Sequence, residues 1–180
     1  MNILITIGIT IVALVALVLI IALFIKKDYS LYRVITINKP KEIIFNYIRF
    51  LKNQDHYSVW SMMDPHMKKE YTGTDGTEGF ISAWDSKHKK VGKGEQAITK
   101  IKENERIDLA LHFIKPFEGR AQAWMLTENT GNGQSTVQWG LSSKMAYPMN
   151  FMLLFMNMDK LMGKDLEDGL QNLKTVLEKQ

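Results

Sequence analysis

The side chains able to move protons or hold metals are few and scattered along these 180 residues. His56, His66, His88 and His112 stand far apart, none in a metal-ligand spacing such as His-Glu-x-x-His, so no metal site is expected. Asp64 and His66 come nearest to an acid/base pair, yet with only Pro65 between them they read as an Asp-Pro turn ahead of a strand. Gly92-Lys93-Gly94 resembles a phosphate loop but lacks a third glycine and a following helix; strand-forming residues come next, and it reads as a turn. The run Gly73 to Gly79 is acidic and flexible but lacks the carboxylate ladder of a calcium loop, and reads as a hairpin connection. Glu118 and Arg120 have a clearer chemical use. They stand two apart at the start of a strand, hence on one face, and would anchor a polar head group through charge-assisted bonds if that face looks inward. On an outer face they would be an ordinary solvated cross-strand set. The chain has no cysteine, which excludes disulfides, thiolate zinc sites and a cysteine nucleophile, and is compatible with a reducing compartment. No cofactor is expected.

The first 25 residues carry no charged side chain and end at Lys26-Lys27. From Ile3 to Ile25 nearly every residue is Ile, Leu, Val, Ala or Phe, long enough as a helix to span a hydrocarbon core of roughly 30 Å. A cleaved secretory signal would need a basic segment before the apolar run and small residues at a cleavage site; Met1-Asn2 and Ala22-Leu23-Phe24 supply neither. Residues 1–27 therefore read as a retained single-pass transmembrane anchor and residues 28–180 as one domain. The basic pair beyond the helix places that domain in the cytoplasm by the positive-inside tendency. The formal charge of +4 falls entirely after residue 25, with lysines scattered among acids. That scatter, without a basic block or a reader motif, excludes a nucleic-acid footprint.

Beyond the anchor, Tyr29 to Ile37 is rich in β-branched and aromatic residues and predicts a strand; Asn38-Lys39-Pro40 then starts a helix over Lys41 to Leu51. Ile43, Ile44, Tyr47, Ile48 and Leu51 give that helix one apolar side. An irregular stretch from Asn53 to Pro65 precedes six strand-like runs: Lys68 to Thr72, Gly79 to Trp84, Glu95 to Lys102, Arg106 to Phe113, Gly119 to Thr127 and Ser135 to Ser143. The tight turn signals between them, such as Asp75-Gly76 and Gly131-Asn132-Gly133, require antiparallel neighbours. Pro148 to Glu178 predicts a long amphipathic helix whose Leu166, Leu170, Leu173 and Leu177 share a face. Its beginning, Met149 to Met158, is apolar almost all round, as in a stretch that is deeply enclosed or meets a ligand or membrane.

Several segments in this order carry a family resemblance: Ile35-Thr36-Ile37-Asn38-Lys39-Pro40-Lys41-Glu42-Ile43-Ile44-Phe45-Asn46-Tyr47-Ile48, His56-Tyr57-Ser58-Val59-Trp60-Ser61, the Trp84 strand, Val91-Gly92-Lys93-Gly94-Glu95 and Thr136-Val137-Gln138-Trp139. Over residues 29 to 178 the chain resembles the START-like (SRPBCC) superfamily, specifically its bacterial polyketide cyclase-like group. The resemblance implies an α+β helix-grip fold, a curved antiparallel sheet around a long C-terminal helix with a cavity between them. It implies no fixed chemistry, since the superfamily includes lipid carriers, hormone receptors, cyclases and coenzyme Q-binding proteins.

Strand parity points to the cavity wall. Leu109, Leu111 and Phe113 alternate with polar residues and face inward, which turns His112 outward. Val137, Trp139 and Leu141 share a face, as do Phe80 and Trp84, whereas the direction of Trp124 stays open. Eleven methionines and four tryptophans suit a pocket for varied apolar guests, or equally an ordinary core. The candidate lining is Trp60, Met62, Phe80, Trp84, Leu109, Leu111, Phe113, Trp139, Met152 and Phe155, with Glu118 and Arg120 as polar anchor. The expected function is a membrane-tethered module binding a hydrophobic small molecule or lipid. The alternatives are a cyclase- or hydrolase-type enzyme using the same cavity, and a protein-interaction domain with its cavity filled by side chains.

Overall fold

The computed structural model describes residues 2–179. The apolar N-terminal run forms helix α1 (Ile3–Phe24), about 33 Å long at 1.5 Å per residue. It is long and apolar enough to cross a membrane, and only Ala22 along it is buried. Three residues later β1 (Asp28–Ile37) begins, followed by α2 (Lys41–Ile48) and the short α3 (Val59–Met63). Strands β2 (Lys68–Thr72), β3 (Ile81–Asp85), β4 (Lys93–Lys102), β5 (Arg106–Lys115), β6 (Gly119–Gly131) and β7 (Gln134–Lys144) come next, and α4 (Met158–Glu178) ends the chain. All seven strands form one antiparallel sheet in the order β1-β7-β6-β5-β4-β3-β2, so the first strand pairs with the last.

Three segments differ from their sequence-based expectation. The predicted helix to Leu51 stops at Ile48, and the stretch expected to be irregular holds a 3-10 turn (Leu51–His56) and α3. Asp75 accounts for the break: its carboxylate accepts the backbone N–H groups of Leu51 (2.8 Å) and Lys52 (3.2 Å), which an unbroken helix would have used internally. The helix expected from Pro148 begins only at Met158, where the Asn157 side chain caps it by accepting the Lys160 N–H at 3.0 Å. Met149–Leu154 is a separate 3-10 turn.

The concave face of the sheet carries the residues that parity assigns to it. Leu31 lies opposite Leu141 and Ile35 opposite Val137, while Met125 meets Trp139 and Leu109 meets Ala123. Helix α4 covers this face with Leu166, Leu170, Leu173 and Leu177, all essentially inaccessible. Its close approach depends on Gly169, where a Cβ would come within 2.8 Å of the Trp139 ring. The helix start is held to β1 by a two-pronged ion pair from Arg33 to Asp159, at 2.8 and 3.0 Å. Removing a side chain from the helix–sheet seam leaves a cavity as well as losing transfer free energy. Leu173→Ala is expected to cost about 2–5 kcal/mol, whereas Leu161→Ala on the exposed side stays within about 0.5 kcal/mol. Denaturant midpoints of the full-length protein in detergent would measure both.

Candidate ligand-binding cavity

Helix α4 packs chiefly on β1 and also touches β7, α2 packs on β6 and β7, and residues of α3 and the 3-10 turn before it face the inner side of β3 to β5. Between these layers lies a cavity of about 250 Å³, close to the lower end of the roughly 300–1,000 Å³ typical of small-molecule pockets. Trp60, Trp84, Leu109, Leu111, Phe113 and Trp139 line it, joined by Met162 and Leu166 of α4. Trp139 is wedged between Trp60 (5.9 Å between ring centroids, near perpendicular) and the fully buried Tyr57 (5.7 Å). Trp84 meets Phe113 edge to face at 6.3 Å and lies over Gly94, so the far wall is aromatic as well. Burial pushes the Tyr57 phenol far above its ordinary range, so it stays neutral in the core behind Trp139.

One corner of this apolar space is polar. Lys69 of β2 forms an ion pair with Asp55 of the 3-10 turn, and the Gln96 amide of β4 donates to the Gln54 carbonyl oxygen at 2.7 Å. Ser82 stands directly opposite Gln96 in the β3–β4 register, and Ser58 and Ser61 complete the lining on the helical side. These donors and acceptors lie beside an apolar body of space, an arrangement that suits an amphiphile with one hydrogen-bonding head. Sequence reasoning missed this corner. Ser82 falls midway between Phe80 and Trp84, so the parity that turned Trp84 inward also turned Ser82 inward.

Several proposed lining residues lie elsewhere. Phe80, which precedes β3, belongs to the solid core, stacked on Tyr71 at 6.0 Å, and does not line the cavity. Met62 is half exposed on α3 beside Asn172. Met152 and Phe155 are exposed, since their segment is a separate turn against the end of α1 instead of part of the gripped helix. Arg120 is paired with His112 across β5 and β6 on the outer face, and Glu118 approaches His112 Nε2 at 3.4 Å, so neither reaches the cavity. Trp124 is also on the outer face, half buried over Gly140 with the Arg106 guanidinium above its ring. Among the described residues no group of three His, Asp or Glu side chains comes together to hold a metal.

Asp64 ties the rim. The Ser86 hydroxyl donates to one carboxylate oxygen at 2.5 Å and the His66 backbone N–H to the other at 3.2 Å. This joins the α3–β2 connection to the β3–β4 loop, whose Lys90 and Val91 line the cavity mouth. The Ser86 hydrogen bond holds the Asp64 carboxyl below its ordinary value. A depressed carboxylate adds stability that is fully present above the unfolded value of about 3.9 and is lost as pH falls through the folded one. Ser86→Ala should move the Asp64 titration back toward that ordinary value, as read by carboxyl-carbon NMR. Gln96→Leu leaves the buried Gln54 carbonyl without its donor and should cost about 1–3 kcal/mol, measured as a lowered denaturation midpoint.

Neither a protein-family model nor a curated protein matches the sequence. Solved structures do share its architecture. Norcoclaurine synthase from Thalictrum flavum is 9% identical over 89% of this chain and 92% of its own, with a TM-score of 0.61; a point mutant of that synthase has been solved in complex with a transition-state analogue. A protein from Mesorhizobium loti is 12% identical over 84% of this chain and 98% of its own, at a TM-score of 0.59. Ara h 8.0201 is 12% identical over 85% and 99%, at 0.58. At such identities the likeness is one of fold alone, and the chain has the helix-grip fold: a curved seven-stranded antiparallel sheet around a long C-terminal helix.

Proposed function

We propose that the chain is a membrane-anchored module that binds a hydrophobic small molecule or lipid in the cavity beneath Trp84 and Trp139. The observation that carries this reading is the unfilled space of about 250 Å³ with an aromatic wall and one polar corner. A protein-interaction domain with a filled interior would leave no such space. The guest would place its apolar body against Leu109, Leu111 and Phe113 and its polar head near Lys69, Gln54 and Gln96. The complex of the norcoclaurine synthase mutant with a transition-state analogue supports the idea that this architecture accommodates a guest. A proton-moving enzyme gains less support, because Lys69 is already paired with Asp55 and no histidine is among the cavity-lining residues.

The anchor reading for residues 1–27 draws support from the exposed, predominantly apolar surface of α1, which carries no charged side chain and which the domain leaves almost wholly uncovered. With Lys26-Lys27 just past its end, the orientation favoured by the positive-inside tendency puts residues 28–180 in the cytoplasm. Native mass spectrometry with lipid extraction, on full-length protein purified from a membrane-containing host, would test the binding role. The expected result is a stoichiometric apolar molecule on the natural sequence and its loss from Leu111→Trp, which fills the cavity from the sheet side while circular dichroism stays unchanged. An empty natural chain would overturn the proposal.

A further inference from the structure

The strand directions gather several features at one end of the sheet. β1 starts there, β7 ends there, and the β3–β4 and β5–β6 loops turn there. Only Ile25, Lys26 and Lys27 separate α1 from β1, a reach of at most about 10 Å at roughly 3.5 Å per residue. A domain tethered so closely to a membrane-spanning helix keeps that end at the lipid boundary. The tether is also braced: the Met145 N–H donates to the Lys27 carbonyl at 2.9 Å, extending the β1–β7 ladder toward the helix. Asn150, fully buried, donates its side-chain amide to the carbonyls of Ala22 (2.7 Å) and Ile25 (3.0 Å), which lie at the helix end where no intrahelical donor remains. The 3-10 turn that carries Asn150 is thereby fixed at the depth where α1 ends.

What this end exposes matches a lipid surface. Phe117 at the tip of the β5–β6 loop is 80% exposed and Phe155 is 77% exposed, and Met149 and Leu154 of the preceding turn are more than half exposed. The basic residues are Lys26 and Lys27 at the exit, Lys87, Lys89 and Lys90 in the β3–β4 loop, and Lys115, all exposed. Of the nearby acids, Asp28 and Asp85 are already paired with Lys144 and Lys93, and Glu118, next to Phe117, lies 3.4 Å from His112 Nε2. Apolar tips ringed by lysines are the surface that an anionic bilayer interface takes up. Lys90, Val91, Lys115, Pro116 and Phe117 also line the mouth of the cavity.

We propose that the loop end of the sheet docks on the anionic bilayer from which α1 emerges, with Phe117 and the Met149–Phe155 turn inserted at the interface, so that the cavity opens onto the membrane and takes its guest from it. The proposal rests on α1 spanning the membrane and names the source of the ligand in the binding role above.

The absence of cysteine makes the test direct, since single cysteines at Phe117, Phe155 and, at the opposite end, Glu128 can each carry an environment-sensitive fluorophore. All three positions are exposed, so the replacements leave the packed interior untouched. The full-length variants would be reconstituted in phosphatidylcholine–phosphatidylglycerol vesicles with and without doxyl-labelled lipid. The expected result is loss of emission with the doxyl lipid at 117 and 155 and none at 128. Emission at 117 that is as insensitive as at 128, in protein that alkaline carbonate fails to extract, would overturn the docking while leaving the anchor standing. Extraction by carbonate would overturn the anchor and the docking together.

Discussion

The long helix α4 is too narrow to cover the sheet it packs on, and most of the architecture follows from that mismatch. Seven strands at about 4.8 Å spacing make a concave face roughly 30 Å across, whereas a helix with its side chains is about 10 Å wide. α4 lies along β1, drawn close by Gly169 beneath Trp139 and positioned by Arg33 on Asp159. α2 adds cover over β6 and β7, and the side toward β3 to β5 is roofed by α3 and the turn before it, which are too short to fill the hollow. Curvature deepens that hollow, because β4 carries an extra residue between Ile98 and Lys100 that bends the strand against β5. The cavity is therefore a consequence of coverage, and its walls are the side chains that would be core if the helix were broader.

The same mismatch explains why the cavity is aromatic at its sides and polar at one corner. Large rings bridge the gap between layers where aliphatic side chains would fall short, and Trp60, Trp84 and Trp139 lean on one another or on Tyr57 and Phe113 in edge-to-face contacts. The short 3-10 turn at Leu51–His56 cannot satisfy all its polar groups internally, and it meets the sheet with Gln54 and Asp55. Gln96 and Lys69 answer them from β4 and β2. A buried polar group without such a partner would cost more than the bond contributes, which is why these residues occur as pairs.

Period and parity were legible in the sequence because each is a property of one element. The face Leu166-Leu170-Leu173-Leu177 and the inward set Leu109-Leu111-Phe113 follow from spacing alone. What stayed hidden depended on relations between elements. Glu118 and Arg120 are on one face by spacing, but only the β5–β6 register, which sets Arg120 opposite His112, assigns that face to the outside. Met152 and Phe155 sit in a run apolar on every side, which carries no direction; their position is decided by Asn150 reaching the end of α1, a partner 125 residues or more away in sequence. The Gln54–Gln96 and Asp55–Lys69 pairs likewise join residues from separate elements that no local pattern relates.

If the cavity takes its guest from the bilayer, as proposed, the forces that hold the guest change. For a molecule arriving from water, apolar burial would supply about 25 cal/mol for each Å² removed from solvent. A molecule arriving from lipid gains almost none of this, because acyl chains are as apolar as leucine and the walls merely replace them. Its preference for the cavity over the bilayer has to come from shape and from the few polar groups that lipid tails lack. In this chain those are Lys69, Asp55, Gln54, Gln96 and Ser82, so the corner that strand parity and helix periodicity did not announce is the part of the proposed site that would select such a guest. For such a guest the aromatic wall would set what fits, and the polar corner what stays.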